Sequence, residues 1–425
     1  MEIKIAGYEI AGNRTDCTTE RFTNEDLKSI VGKIASICYT DKTYDEFFAE
    51  NTNKSVKRTD NLLRNGHHSP FDQVYFTLYL KNASKITFMA LNGERCYSAE
   101  ESSDRYRPMQ LSRNEQQDFD DLTQLYLGKI KEITPNPCKY IERRAEKIAL
   151  ENARYCMPTD MHYKDMFYTV SLRQLNYLYN WAKDFKIEDY PRVCKNMQSD
   201  LADFTKFVED NGLQMSTLKD HFDRGFSFFR NKMPIQNEYG YHYTLNYPCT
   251  IACAGQMERH RFLDCHFSLP NNTDNLTFYI PDMLKNDSKR ISEVQAIYDK
   301  YRERHPQGSL GVMTESANIN DFVRVLYERD CAMAQYEINK VVQRNLNTYL
   351  NGLKQRNQDI ARLVRSAGYQ DDAHRAYLRD KQAENIECAK ILEHYKNKQY
   401  CQANGHCKGA SCGWDEGRDF ELRRY

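Results

Sequence analysis

Two stretches of alternating apolar and polar residues organise the chain. Over Gln73–Leu80 the apolar Val74, Phe76, Leu78 and Leu80 alternate with the more polar Gln73, Tyr75, Thr77 and Tyr79. Period two with aromatic richness predicts a strand. A short apolar run, Ile86–Leu91, and a polar loop, GERCYSAEESSDRY, follow. Far downstream the order recurs: Tyr239, Tyr241, Tyr243, Leu245 and Tyr247 alternate, Thr250–Ala254 is apolar, and QMERHRFLDCHF is the polar loop. Arg95 and Arg261 stand at equivalent places, 166 residues apart (261 − 95), and Pro158 and Pro306 are 148 apart (306 − 158). The difference of 18 (166 − 148) places extra length in the first copy, around residues 108–138. Two diverged copies of one strand–loop–helix unit is the economical reading.

Helices are predicted around these strands. Thr23 or Asn24 can cap a helix whose Leu27, Ile30, Val31, Ile34 and Ile37 form one apolar stripe. Phe322, Val325 and Leu326 lead into Ala334, Ile338, Val341, Val342 and Leu346, again near the helical period. Residues 371–400 are charged and helical in pattern, and the glycine-rich CQANGHCKGASCGW follows.

Composition narrows the function classes. A chain of 425 residues has room for two or three domains. Its 60 Lys+Arg balance 60 Asp+Glu, which argues against wrapping a nucleic-acid polymer while leaving a local anion site open. Tyrosine is abundant at 30 and proline scarce at 11, which disfavours a long disordered chain. No apolar run is long enough for a bilayer, and Glu2 and Lys4 break up the N-terminal apolar stretch, so no secretory signal is expected. Fourteen cysteines then read as reduced thiols in a cytoplasmic protein.

The first loop carries candidate chemistry. Arg95, Glu101, Ser103, Arg105 and Tyr106 follow a strand, and arginine forks with a serine hydroxyl suit a phosphate. A solvated charged turn would show the same residues. Their spacing resembles the flavin-dependent thymidylate synthases (ThyX). His67-His68-Ser69-Pro70-Phe71-Asp72-Gln73 is similar to that family's H-x-[ST]-P-F-E-H segment, and Arg95, Ser98, Glu101, Ser103, Arg105 and Tyr106 fall in register on Q-x-x-R-H-R-x-x-S-x-N-E-x-S-x-R-Y. Ala90, Gly93, Glu94 and Glu100 depart from it, so the first copy resembles the nucleotide end of the motif more than the flavin end. The second copy does the reverse: Gln256, Arg259, His260 and Arg261 reproduce Q-x-x-R-H-R, Asp264 replaces the serine, and the remainder dissolves into CHFSLPNN. Downstream, Asn318, Arg329 and Ala334-Gln335-Tyr336-Glu337-Ile338 resemble the family's closing helix, with Asn320 and Met333 as departures. Gln335 and Glu337 equally fit a helix-surface pair. In the first copy Ala153-Arg154 and Thr169–Arg173 are similar to A-R-x-x-L-P and T-x-N-x-R, Ala182 replaces the second arginine, and Arg302 is a weaker counterpart of Arg154.

The resemblance implies an α+β fold of two diverged repeats, each a mainly antiparallel sheet flanked by helices, forming an intramolecular pseudo-dimer. The expected divisions are 1–215 (nucleotide-loop half), 216–370 (flavin-loop half) and 371–425 (tail). It implies a methyltransferase that converts dUMP to dTMP, with FAD as cofactor and methylenetetrahydrofolate and NADPH as co-substrates. The expected nucleotide site combines Glu101, Ser103, Arg105, Arg154, Gln256 and Arg329, with Arg329 and Ser103 as catalytic candidates. The flavin would lie against His67, Arg95, Ser98, Arg259, His260, Arg261 and Asn318, and the chain would pair with itself to mimic the family's tetramer. Glu94 and Asp264 leave open a related enzyme that makes a hydroxymethylated or otherwise modified pyrimidine. A non-catalytic nucleotide-binding protein is the third reading. Cys401, His406, Cys407 and Cys412 are weak zinc candidates, because no C-x-x-C pair is present among them.

Overall fold

The structure is a computed structural model. It describes the chain except for residues 11–12, 17–22, 42, 94–95, 104–110, 138, 187–194, 216, 219–234, 271, 332–333, 367–371 and 406–425, and except for the side chains of 6–10, 13–16, 39, 44, 139–141, 143, 163 and 195. The chain runs β1 (Glu2–Ile10), β2 (Asn13–Asp16), α1 (Asn24–Ala35), α2 (Tyr44–Phe48), α3 (Thr52–Arg64), β3 (Val74–Ser84), α4 (Lys85–Asn92) and β4 (Tyr97–Glu101). Next come α5 (Arg113–Ile133), α6 (Lys139–Ala153), β5 (His162–Ser171), α7 (Leu172–Asp184) and α8 (Lys195–Asp210). The rest is β6 (His242–Thr250), α9 (Ile251–Met257), β7 (Asp264–Ser268), α10 (Ser288–Tyr301), β8 (Leu310–Asn318), α11 (Ile319–Arg329), α12 (Tyr336–Arg365), α13 (Asp372–Tyr395) and α14 (Tyr400–Asn404).

The fold is α+β, with two antiparallel sheets among the described residues. One has the order β2-β1-β3-β5-β4 and the other β6-β8-β7. In both, the strand late in sequence sits between the two earlier ones. The alternation read in β3 is real, because Val74, Phe76, Leu78 and Leu80 are all fully buried. In β6 the alternating Tyr243, Leu245, Tyr247 and Cys249 are buried, while Tyr241 lies before the strand and is exposed. Each sheet carries a cross-strand hydroxyl pair on its other face: Thr77–Thr169 at 2.9 Å and Thr244–Ser316 at 2.8 Å.

The short apolar runs after the strands are helices that start without a loop. Ser84, Ser171, Thr250 and Asn318 end β3, β5, β6 and β8, and each side chain accepts an N–H of the helix that follows. Two of these corners are also held by a buried carboxylate from a later helix. Asp200 on α8 accepts from the Ser84 amide (2.9 Å), the Ser84 hydroxyl (2.9 Å) and the Thr87 hydroxyl (2.7 Å). Glu337 on α12 accepts from the Thr250 amide (2.9 Å), the Thr250 hydroxyl (2.7 Å) and the Tyr155 hydroxyl (2.8 Å). Burial pushes the Asp200 carboxyl up, but His162, the Ser84 amide and the Thr87 hydroxyl outweigh it and hold it below the usual range. For Glu337 burial prevails over the Thr250, Tyr155 and Arg154 contacts and leaves the carboxyl above that range.

The chain divides into two compact units that are discontinuous in sequence, where the sequence reading has consecutive repeats bounded at 215 and 370. The first unit is Met1–Ser112, Pro158–Phe229 and Glu303–His305; the second is Arg113–Met157, Arg230–Arg302 and Pro306–Tyr425. Thus α5 and α6 belong to the same unit as β6–β8. The backbone explains this assignment, since Gln307 N donates to Met157 O (2.9 Å) and Gly308 N to Tyr155 O (2.7 Å) within the second unit. Its core includes Tyr243 in ring contact with Phe322 and Tyr349. Helix α5 lies inside the 108–138 window, and it meets α10, the α-helix described between β7 and β8, where the Tyr301 hydroxyl donates to Asp118 at 2.5 Å and Arg290 pairs with Glu132.

Three expectations need revision. The α1 stripe stops at Ala35, so Ile37 lies in a following 3-10 turn and is 66% exposed. The helix expected through residues 322–346 is two helices, α11 and α12. The first polar loop contains strand β4, which pairs with β5 from Tyr97↔Val170 to Glu101↔Met166.

Replacing Asp200 with alanine would strand the Ser84 amide, two hydroxyls and His162 at once. Asp200→Ala is expected to cost about 3 kcal/mol or more, against about 1 kcal/mol for Ser84→Ala. Urea midpoints of the two variants would check the order; equal midpoints would show that the carboxylate does not hold the corner.

Candidate functional site

In the first unit the two motif segments meet. Asp72 accepts from the Ser171 hydroxyl (2.8 Å) and pairs with Arg173 (2.8 Å), whose Nε donates to the Tyr177 hydroxyl (2.9 Å). His68 is buried, and its Nδ1 lies 2.9 Å from the same hydroxyl. His67 is exposed, and its amide donates to Leu62 O (3.0 Å). Ser98 is exposed on β4 opposite Thr169. At the end of that strand Glu101 is buried, with Lys85 Nζ at 2.8 Å and Lys164 Nζ at 3.1 Å from the same oxygen. Ser103 follows, half-buried. A carboxylate out of water is stable only with such partners. Arg95 and Arg105 lie outside the described residues.

The second unit gathers the other candidates around the end of α9. Gln256 Nε2 donates to Ala252 O (3.2 Å) and to Gln335 Oε1, which also accepts from Arg154; Gln335 Nε2 meets the Tyr155 hydroxyl. Tyr155 donates on to Glu337, so a buried polar chain runs from Gln256 to the Thr250 corner. Arg154 is buried, and its Nε has no hydrogen-bond partner among the described residues. Arg329 Nε donates to His260 Nε2 at 2.6 Å, and its Nη2 reaches Gln256 O at 3.5 Å. His260 Nδ1 is 3.2 Å from Glu328, so both ring nitrogens face side chains of the protein. Arg259 is half-buried and Arg261 exposed. Asn318 serves as the α11 cap, accepting from the Asn320 and Asp321 amides at 2.9 and 3.1 Å.

The Thy1 family model, thymidylate synthase complementing protein, matches residues 22–186. Over that segment the chain is ThyX-like. No curated protein matches the sequence. Among solved structures, flavin-dependent thymidylate synthase ThyX from Helicobacter pylori, complexed with FAD and dUMP, is similar at 16% identity. The match covers 50% of this chain and 99% of that one, with a TM-score of 0.26. The UMP/dUMP methylase PolB from Streptomyces cacaoi, bound with 5-Br dUMP, is similar at 17% identity over 51% of this chain and 92% of that one, with a TM-score of 0.31. Likeness at this level carries no further conclusion.

Several candidate positions hold their side chains differently from the sequence expectation. Gln335 and Glu337 are buried at 2% and 5% exposure, not a helix-surface pair. Arg154, assigned by sequence to the first copy, has its partner Gln335 in the second unit. Arg302 is spent on Thr273 O, Leu276 O and Asp299, and stacks on Phe278. Sequence reasoning missed Lys85, Lys164, Tyr155 and Glu328; a lysine between buried apolar neighbours at 85 was the available signal. Cys401 is buried on α14, whereas His406, Cys407 and Cys412 lie outside the described residues. Among the described residues no group of three or more His, Cys, Asp or Glu could hold a metal, and no helix is long and apolar enough to cross a membrane.

Asp330, the residue after Arg329, has its side chain fully buried. Asn339 Nδ2 donates to its Oδ1 at 3.2 Å and to Arg329 O at 3.3 Å. Burial pushes its carboxyl from 3.8 up to about 6, against the pull of Gln343, Asn339 and the Tyr400 amide. Between those values the folded chain binds more protons than the unfolded one, so stability falls as pH rises. Relative to Asp330→Asn, the parent should lose roughly 2–3 kcal/mol between about pH 4 and about pH 7. Paired thermal melts would check this, and parallel profiles would refute it.

Proposed function

We propose that the chain is a flavin-dependent methyltransferase of the ThyX type, converting dUMP to dTMP with methylenetetrahydrofolate as carbon donor and NADPH as reductant of FAD. The observation that carries the reading is the Thy1 match over residues 22–186, the segment that holds His67, Arg95, Ser98, Glu101, Ser103 and Arg105 at the family spacing. In this reading Ser103 and Arg105 bind the phosphate end of the nucleotide, and Glu101, fixed by Lys85 and Lys164, sets the loop that presents them. Arg329 supplies the cation for charge developing on the pyrimidine, because guanidinium keeps its charge when partly desolvated. Gln256 and Arg154 form the polar floor beside it.

For the cofactor, Arg259 and Arg261 offer two guanidinium groups suited to a diphosphate, and the family spacing makes His67, Arg95 and Ser98 flavin candidates of the ThyX-like segment. His260 and Asn318 act through neighbours, since their side chains are engaged by Arg329, Glu328 and the α11 amides. When bound there, a flavin would supply the hydride. The shared strand order, the paired hydroxyls and the two carboxylate-held corners support descent of both halves from one duplicated unit. Self-pairing into a homodimer and a cytoplasmic location belong to the same reading. A second reading, a modified-pyrimidine product, is favoured by Asp264, which lies opposite Ser316 as Ser98 lies opposite Thr169.

Purified protein should take up flavin on titration and turn yellow; no uptake would remove both enzyme readings and leave a nucleotide-binding protein. Tritium release from position 5 of labelled dUMP should accompany turnover, and product mass separates methyl from hydroxymethyl. Arg105→Ala should weaken dUMP binding about tenfold to a hundredfold with flavin retained, and Arg261→Ala should do the opposite. Equal loss of both ligands in either variant would end the division of labour.

A further inference from the structure

Glu328 lies outside every motif that carries the ThyX resemblance, yet it completes an ordered chain of three side chains. Its Oε2 is 3.2 Å from His260 Nδ1, and on the far side of the ring Arg329 Nε donates to Nε2 at 2.6 Å. A guanidinium has no acceptor, so this hydrogen bond requires a lone pair on Nε2 and places the ring proton on Nδ1. That proton needs an acceptor, and the Glu328 carboxylate is at the required place. The ring itself is 3% exposed. Burial, together with the charges of Arg329 and Arg259, keeps His260 below the usual histidine range despite Glu328, consistent with a neutral ring. Phe262 packs beside the ring at 5.5 Å, and Arg324 lies over Phe262 with its Nε 3.9 Å from the other Glu328 oxygen.

We infer that Glu328 is a positioning residue: it accepts the Nδ1 proton of His260, fixes the tautomer whose Nε2 holds Arg329, and so presets the guanidinium that the nucleotide base meets. The inference rests on the proposed role of Arg329 toward the nucleotide. An arginine already held by Nε and by Gln256 O loses little rotamer freedom when its ligand arrives, and that saving appears as affinity. Without the carboxylate the ring can carry its proton on Nε2, where it repels the Arg329 N–H instead of accepting it.

The test uses the full chain with ¹⁵N-labelled histidine, His260 being assigned from its loss in H260Q. At neutral pH the His260 ring should show a protonated Nδ1 and a bare Nε2. Glu328 is one-third exposed, so E328A should fold. It should scramble that tautomer and raise the dUMP dissociation constant about tenfold while flavin affinity stays unchanged. E328Q, whose amide oxygen still accepts from Nδ1, should restore both to within about threefold of the parent. An Nε2–H or doubly protonated ring in the parent, an unchanged tautomer in E328A, an unchanged dUMP constant in E328A from a parent that binds dUMP, or E328Q as impaired as E328A, would overturn the inference. If the parent binds no dUMP, the proposed function falls, and the tautomer comparison alone decides the role of Glu328.

Discussion

A buried carboxylate that cannot leave its corner underlies the architecture. Asp200 and Glu337 each sit out of water and take their hydrogen bonds from a strand's last residue and its neighbours. Desolvating a carboxylate is expensive, so the arrangement is stable only when every donor is in place. At each corner the donors include the strand end, joined by Thr87 of the next helix for Asp200 and by Tyr155 for Glu337, so satisfying the charge ties the start of α4 and of α9 to a later helix.

The two corners are built alike but are used differently. In the first unit Asp200 is surrounded by His162, Ser84 and Thr87, local groups that close the network on itself. In the second unit Glu337 extends through Tyr155 to Gln335, Arg154 and Gln256, and Gln256 O lies beside Arg329. A structural charge and a candidate binding residue therefore belong to one hydrogen-bonded system.

Much of this was legible in residue order. The alternation in β3 and β6, the apolar runs that became α4 and α9, and the Thr23 cap all reflect local chemistry, which sequence displays directly. What failed was everything set by distant partners. Glu101 looks like a loop acid until Lys85 and Lys164 are seen against it. His67 drew attention as the motif histidine, yet the neighbouring His68 is the one buried against Tyr177. Arg154 follows α6 in the first half, but its partner Gln335 lies 181 residues later. Residues 97–101 were read as loop because a five-residue strand shows too few alternations to register.

The interleaving of the two units bears on how the polypeptide can be made. Helices α5 and α6 leave the ribosome well before β6, β7 and β8, the strands against which their unit is built. During synthesis their apolar faces, with Phe119, Leu122 and Tyr126, must wait for roughly half the chain to emerge. Neither half of the gene encodes a finished body, so separating them into two open reading frames would release two fragments, each lacking part of its own interior.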